Sequence, residues 1–245
     1  MGRLPEKESL VDIFRWRVKE SSESIVSKYK DRLLTYKEYD SNANKVAQGI
    51  INEGCKPNGR VAFLAKNSDQ FFEFLYGTMK SRTVAVGINW RLAPPEVSYV
   101  INDSKSEILF VGKEFYPIIR EIINEIPTIK KIISMDGESE WEHYIFWRDK
   151  FEAIDPFLES NIEDDVIQLY TSGTTGYPKG VQLTNKNFIK SNLMVEKTWG
   201  KDWHEGSANI ICSPVFHVAG ANMGVMGIVF GCKNIIIPEV DPELI

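Results

Sequence analysis

No run of about 18 apolar residues occurs anywhere in the 245-residue chain, which excludes a membrane-spanning helix of ordinary length. The opening stretch, MGRLPEKESL, lacks the apolar core of a secretory signal. A basic excess is also missing. The 29 Lys and Arg face 34 Asp and Glu, and a net charge of −5 excludes a general nucleic-acid binder. Cysteine and histidine are scarce, three of each, scattered and without CxxC spacing. A structural zinc site is thereby excluded, and Cys55, Cys212 and Cys232 read as reduced thiols of a cytoplasmic protein. Neither a GxxxxGK[ST] phosphate loop nor a GxGxxG dinucleotide fingerprint is found. Internal repeats and low-complexity stretches are absent too.

What is present is alternation. TYKEYDSNANKVAQGIINEG, from Thr35, opens on a capping box with Glu38 three residues on, and its apolar positions recur at helical spacing up to the stop at Gly54. RVAFLA (60–65), TVAVGI (83–88), EILFVG (107–112) and KKIISM (130–135) read as buried strands with helices between them. Strand–helix–strand repetition with short links implies parallel pairing and right-handed crossovers. The fold class is α/β, with doubly wound sheets and helices on both faces. Residues 136–164 are acidic, aromatic and weakly periodic, and read as a connector with one helix. The expected organisation is a first α/β subdomain with its connector over 1–160 and the start of a second over 161–245. The closing EVDPELI looks like the first turn of a further helix, so the chain is expected to be the truncated front part of a longer protein.

Between strands VIQLYT (166–171) and GVQLT (180–184) lies YTSGTTGYPKG, residues 170–180. Gly173, Gly176 and Gly180 admit positive φ and close approach of backbone N–H groups to an anion. Thr171, Ser172, Thr174 and Thr175 add hydroxyl donors, Pro178 stiffens the exit, and Lys179 supplies a point charge suited to phosphate. The combination reads as a polyphosphate cradle; the plain alternative, a flexible Ser/Thr/Gly hairpin, leaves the Pro–Lys–Gly ending unexplained. Further on, CSPVFHVAG places His217 at a strand end, where it is either a substrate contact or a structural cap. The glycine-rich stretch Val218–Gly227 either lines a tunnel or packs closely as a helix.

YTSGTTGYPKGVQLTN closely resembles the signature loop of the adenylate-forming (AMP-binding) superfamily, and LTYKEYDSNANKVAQGI, GINWRLAPPEVSYVINDS and CSPVFHVAG resemble further segments of it in the right order. The wording is most similar to fatty-acid and aryl-acid CoA ligases. The resemblance implies ATP-dependent activation of a carboxylic acid, medium- or long-chain fatty acid first and aryl acid second, as an acyl adenylate. Transfer to the thiol of coenzyme A would follow. It implies that Thr171, Ser172, Gly173, Thr174, Thr175, Gly176 and Lys179 hold ATP, that Thr171 is also a candidate contact for Mg²⁺, and that His217 positions the acid and its adenylate. It leaves the family's adenine-binding segment, metal-binding glutamate, ribose-gripping aspartate and catalytic lysine without counterparts in residues 1–245. The chain alone is therefore expected to be inactive in the full reaction, and a non-catalytic binding scaffold is the alternative.

Overall fold

The structure, a computed structural model, describes residues 4–171, 178–200 and 202–240. Helix α1 (Leu10–Glu20) starts at Ser9, whose hydroxyl accepts from the Asp12 amide. A hairpin follows, β1 (Ile25–Tyr29) and β2 (Arg32–Thr35), turning at Lys30 with φ +53°. Helix α2 (Tyr36–Asn52) carries the capping box read from the sequence: the Thr35 amide donates to Glu38 Oε2 at 2.8 Å, and the Glu38 amide donates to Thr35 Oγ1 at 3.2 Å.

The repeating unit comes next: β3 (Arg60–Leu64), α3 (Asp69–Lys80), β4 (Val84–Gly87), α4 (Pro94–Ser104), β5 (Ser106–Val111), α5 (Tyr116–Ile122) and β6 (Lys131–Ser134). The acidic connector holds a short strand, β7 (Glu142–His143), and one short helix, α6 (Tyr144–Arg148). Beyond it lie β8 (Asp165–Thr171), β9 (Lys179–Thr184), α7 (Asn185–Trp199), β10 (Ala208–Ile211), α8 (Val218–Phe230) and β11 (Lys233–Ile236).

Two sheets result, a seven-stranded one ordered β7–β6–β5–β3–β4–β8–β9 and a four-stranded one ordered β10–β11–β1–β2. Pairing is parallel except at the two terminal hairpins, β8–β9 and β1–β2. Each sheet draws strands from both sides of residue 160. Alternate residues of the central strands go to opposite faces, as the two-residue period requires. Val61, Phe63 and Phe110 join α2 and α3 in one apolar cluster; Ala62, Leu64, Leu109 and Val111 join α4 and α5 in the other. Helices thus cover both faces of a parallel sheet, which is why β3, β4 and β5 read as continuous apolar runs. Helix α3 is buried on nearly every side, and Gly77 lets Val46 of α2 approach it: a Cβ there would stand 2.4 Å from Val46 Cγ1. Among the described residues, no helix is long and apolar enough to cross a membrane.

Candidate functional site

Strands β4 and β8 run parallel, so Gly87 and Thr171 both lie at the carboxyl edge of the large sheet. Thr171 is the last residue of β8 and Lys179 the first of β9, and the two are ladder partners, which puts their Cα atoms about 5 Å apart. Both are exposed. The antiparallel pair therefore presents a hydroxyl and an ammonium at the two ends of the loop. Ser172, Gly173, Thr174, Thr175 and Gly176 lie outside the described residues.

The hairpin under that loop is braced. Gln168, Tyr170 and Gly180 form its inner layer, with the Gln168 amide donating to the Tyr170 hydroxyl at 2.9 Å and that hydroxyl donating to Asp103 Oδ2 of α4 at 2.6 Å. Gly180 is the ladder partner of Tyr170, and a Cβ on it would stand 2.5 Å from Gln168 Nε2 and 3.1 Å from the Tyr170 ring. A side chain at 180 would thus have to displace the Gln168 amide from its bond to Tyr170. Burial, and then the Asp103 carboxylate, push the Tyr170 phenol up, which keeps it the donor in this pair. Tyr170→Phe should cost about 1 kcal/mol of stability and speed amide exchange across 178–184 specifically. Exchange unchanged there would show that the hairpin is held by its ladder alone.

His217 reaches the same edge from the other sheet. It is the N-cap of α8, and its Nδ1 accepts from the Ala219 amide at 3.2 Å. In the neutral ring the proton then sits on Nε2, on the exposed side, where it can donate to an oxyanion or carbonyl. The structural and chemical readings of this histidine are therefore compatible: one nitrogen caps the helix and the other is available. Its neighbour Phe216 lies against Gly87, where a Cβ would be only 3.0 Å from Phe216 Cα; Gly87 is the ladder partner of Leu169, two residues before Thr171. Close backbone approach at Gly87 is what brings the His217 turn onto the edge that carries Thr171.

The turn is fixed by a residue that the sequence did not single out. Asn67, buried just beyond β3, accepts from the Val215 amide at 2.9 Å and donates to the Ser213 and Ile237 carbonyls at 3.0 and 3.1 Å. One side chain so ties the end of β3 to the segments after β10 and β11. No spacing rule marks such an asparagine, because its partners are about 150 residues away in the chain. Trp90, just past β4, stands edge-on to Phe216 at 6.1 Å and beside Phe115 at 6.4 Å, with Arg91 stacked on its ring at 4.4 Å.

The glycine-rich stretch is packed rather than open on the faces that its glycines present. A Cβ on Gly224 would lie 2.0 Å from the Phe72 ring, and one on Gly227 would lie 1.9 Å from Asn234 Oδ1.

The chain matches the family model described as AMP-binding enzyme over residues 14–245. It is 35% identical over 225 residues to the fatty acid–[acyl-carrier-protein] ligase ScoC of Streptomyces coeruleorubidus, across 90% of this chain and 42% of that protein. It is 31% identical over 225 residues to the long-chain-fatty-acid–CoA ligase FadD13 of Mycobacterium tuberculosis, across 89% of this chain and 42% of the relative. The chain thus spans less than half the length of either curated relative. Among solved structures, the inhibitor-bound N-terminal domain of FACL13 from Mycobacterium tuberculosis superposes with a TM-score of 0.87 at 28% identity, over 97% of this chain and 59% of that one.

Proposed function

The chain belongs to the AMP-binding enzyme family, and from that premise we propose that it contributes the phosphate-handling loop and the acid-positioning histidine to an ATP-dependent acid–thiol ligase. The observation that carries the reading is the Thr171–Lys179 ladder pair at the carboxyl edge of the large sheet, with the His217 turn seated on the same edge against Gly87. The acid is a medium- or long-chain fatty acid, a choice supported by the activities named for the two curated relatives. Coenzyme A is the acceptor thiol, with a carrier-protein thiol as the second candidate because ScoC is named as using one.

Adenylation must bring a carboxylate onto a phosphate, two anions together, so the first requirement is neutralisation and alignment. Lys179 meets it at the departing pyrophosphate and the hydroxyl of Thr171 near the α-phosphate. The Nε2–H of His217 holds an oxygen of the acid and then of its adenylate. The exposed Thr171 hydroxyl is the contact this chain would offer to a Mg²⁺ ion carried in by the nucleotide. That ion would offset charge on the phosphate oxygens.

Acid-dependent exchange of pyrophosphate into ATP tests the reading, across a panel of fatty and aryl acids, with this chain and with any longer product of its gene. Exchange with fatty acids is expected from the longer product and not from this chain alone, and the active acid names the substrate class. Silence across the whole panel in both would sink the ligase assignment and favour a binding scaffold. Lys179→Ala should cut exchange at least about tenfold with the melting temperature unchanged, as expected for loss of a charge-assisted phosphate contact. His217→Ala should lower the rate of adenylate formation more than the affinity for ATP; equal losses in both would leave the histidine as a helix cap only.

A further inference from the structure

The centre of the large sheet is ordered β4–β3–β5–β6. From β3 the chain passes into α3 on one face, and from β5 it passes into α5 on the other. The loops leaving these two neighbouring strands therefore diverge and open a crevice beyond their carboxyl ends. In open α/β sheets such a switch point is where ligands are held. A cleft of about 700 Å³ lies there. Its floor is small and apolar, from Ala65, Gly112 and Met135 past the ends of β3, β5 and β6, and its far wall is the β1–β2 hairpin. The Thr171–Lys179 pair is elsewhere, since β4 separates β3 from β8, and Trp90 with Phe216 stands over the end of β4.

The charges lining the cleft are unevenly matched. Asp69 is held by two nitrogens of Arg32. Glu73, buried at the back, takes the Tyr144 hydroxyl at 2.6 Å, Asn42 at 2.8 Å and Arg148 at 3.1 Å. Glu114 is 3.2 Å from Lys66, and Asp136 accepts from the Lys113 amide at 2.7 Å. Asp69, Glu73 and Glu114 therefore face cations, whereas Asp136 meets only a neutral amide. Among the described residues the lining holds two ammonium groups without an ion-pair partner, those of Lys30 and Lys113, against that one carboxylate. Lys30 occupies the left-handed tip of the hairpin with its ammonium 5.3 Å from the Tyr29 ring centroid. The stem of Lys113 lies along Gly137, where a Cβ would be 3.4 Å from its Cβ and Cδ.

We propose that this cleft is a second ligand site that binds a small phosphorylated metabolite, with its phosphate between Lys30 and Lys113. The volume falls within the roughly 300–1,000 Å³ of small-molecule sites. Two ammonium groups supply the compact point charges that phosphate takes, and the Asn42 and Gln70 side chains supply polar contacts for the remainder of the molecule.

Hydrogen-exchange mass spectrometry with pyrophosphate as the probe decides the matter. Pyrophosphate should protect residues 28–32 and 112–115, and Lys113→Ala should raise the concentration needed for half-protection about tenfold. Lys30→Ala with Lys113→Ala should abolish this protection, whereas Lys179→Ala should leave it intact. Both lysines are exposed, so the fold is not at risk, and Lys113→Gln gives the same readout with most of the stem retained. Protection confined to residues 170–184, or protection at 112–115 that persists in the double variant, would overturn the proposal. Because the readout is binding and not turnover, it stands or falls independently of the ligase assignment.

Discussion

An Asp155→Ala variant should lose about 3 kcal/mol of unfolding free energy, the low end of the scale for a buried charge left short of its partner. Asp155 lies in the extended part of the acidic connector, half-buried against α1 and α3. Arg15 grips both of its oxygens, Nε at 2.9 Å and Nη2 at 2.7 Å, and Lys80 donates to one of them. Lys80 is wholly buried, with Asp40 at 2.9 Å as its other partner and the Phe14 ring 5.6 Å away. Removing Asp155 leaves that ammonium in an apolar surround with half its compensation. Lys80→Met in the same background should therefore recover stability, because a buried methionine needs no partner. Equal stability of single and double variants in urea denaturation would mean that Lys80 escapes to water and the estimate is wrong. The group also sets a pH dependence. Burial would push Asp155 up, but its bonds to Arg15 and Lys80 outweigh that and hold it well below the usual carboxylate range. With the folded value depressed, the stabilisation is complete above about pH 4 and drains away as the pH falls towards the folded value. Asp155→Ala should flatten that part of the acid limb.

The same connector shows where sequence reading runs out. Strands β3, β4, β5 and β6 were legible because burial on both faces leaves continuous apolar runs, and each expected strand lies within two residues of the observed one. Helix α2 was legible from its capping box and its period. Residues 136–164 were opaque for a physical reason: α6 has only five residues, and the extended stretch after it is held by ion pairs to residues far away in the chain. Periodicity detects apolar faces, not charge matching across 75 or 140 residues. Pairing of β1 with β11 was equally hidden, since no local signal couples residue 27 to residue 234. At the proposed site, the candidate residues were legible and their support was not. Thr171, Lys179 and His217 stand out by residue type, whereas Asn67 and the Asp103–Tyr170 brace act only through their place in the fold.

Gly227→Ala sets two opposing effects against each other, and their sizes predict the sign. Alanine in a helix interior is favoured over glycine by about 1 kcal/mol. Here the added methyl would stand 1.9 Å from Asn234 Oδ1 and 2.9 Å from Asn209 Nδ2. These two asparagines are ladder partners on β10 and β11, and they hold α8 on the sheet. Asn209 Nδ2 donates to the Met223 carbonyl and to Asn234 Oδ1, and Asn234 Nδ2 donates to the Gly224 carbonyl, all at 2.9 Å. A methyl group there must displace the pair or lift the helix. Overpacking costs about 1–3 kcal/mol and each buried amide left without its partner about 1–3 more, so a net loss of about 2–4 kcal/mol is expected despite the better propensity. Asn234→Ala makes room, so the double variant should be less destabilised than the two single changes added together. A Gly227→Ala chain that gains about 1 kcal/mol in urea denaturation would mean that α8 is free to shift, and the close-packing reading of its glycines would fall. Because His217 caps this same helix, any lift of α8 also moves the free imidazole nitrogen from the edge shared with Thr171 and Lys179. The glycines of α8 therefore act on the proposed chemistry through helix placement, and Gly227→Ala should slow pyrophosphate exchange even under conditions where the variant remains folded.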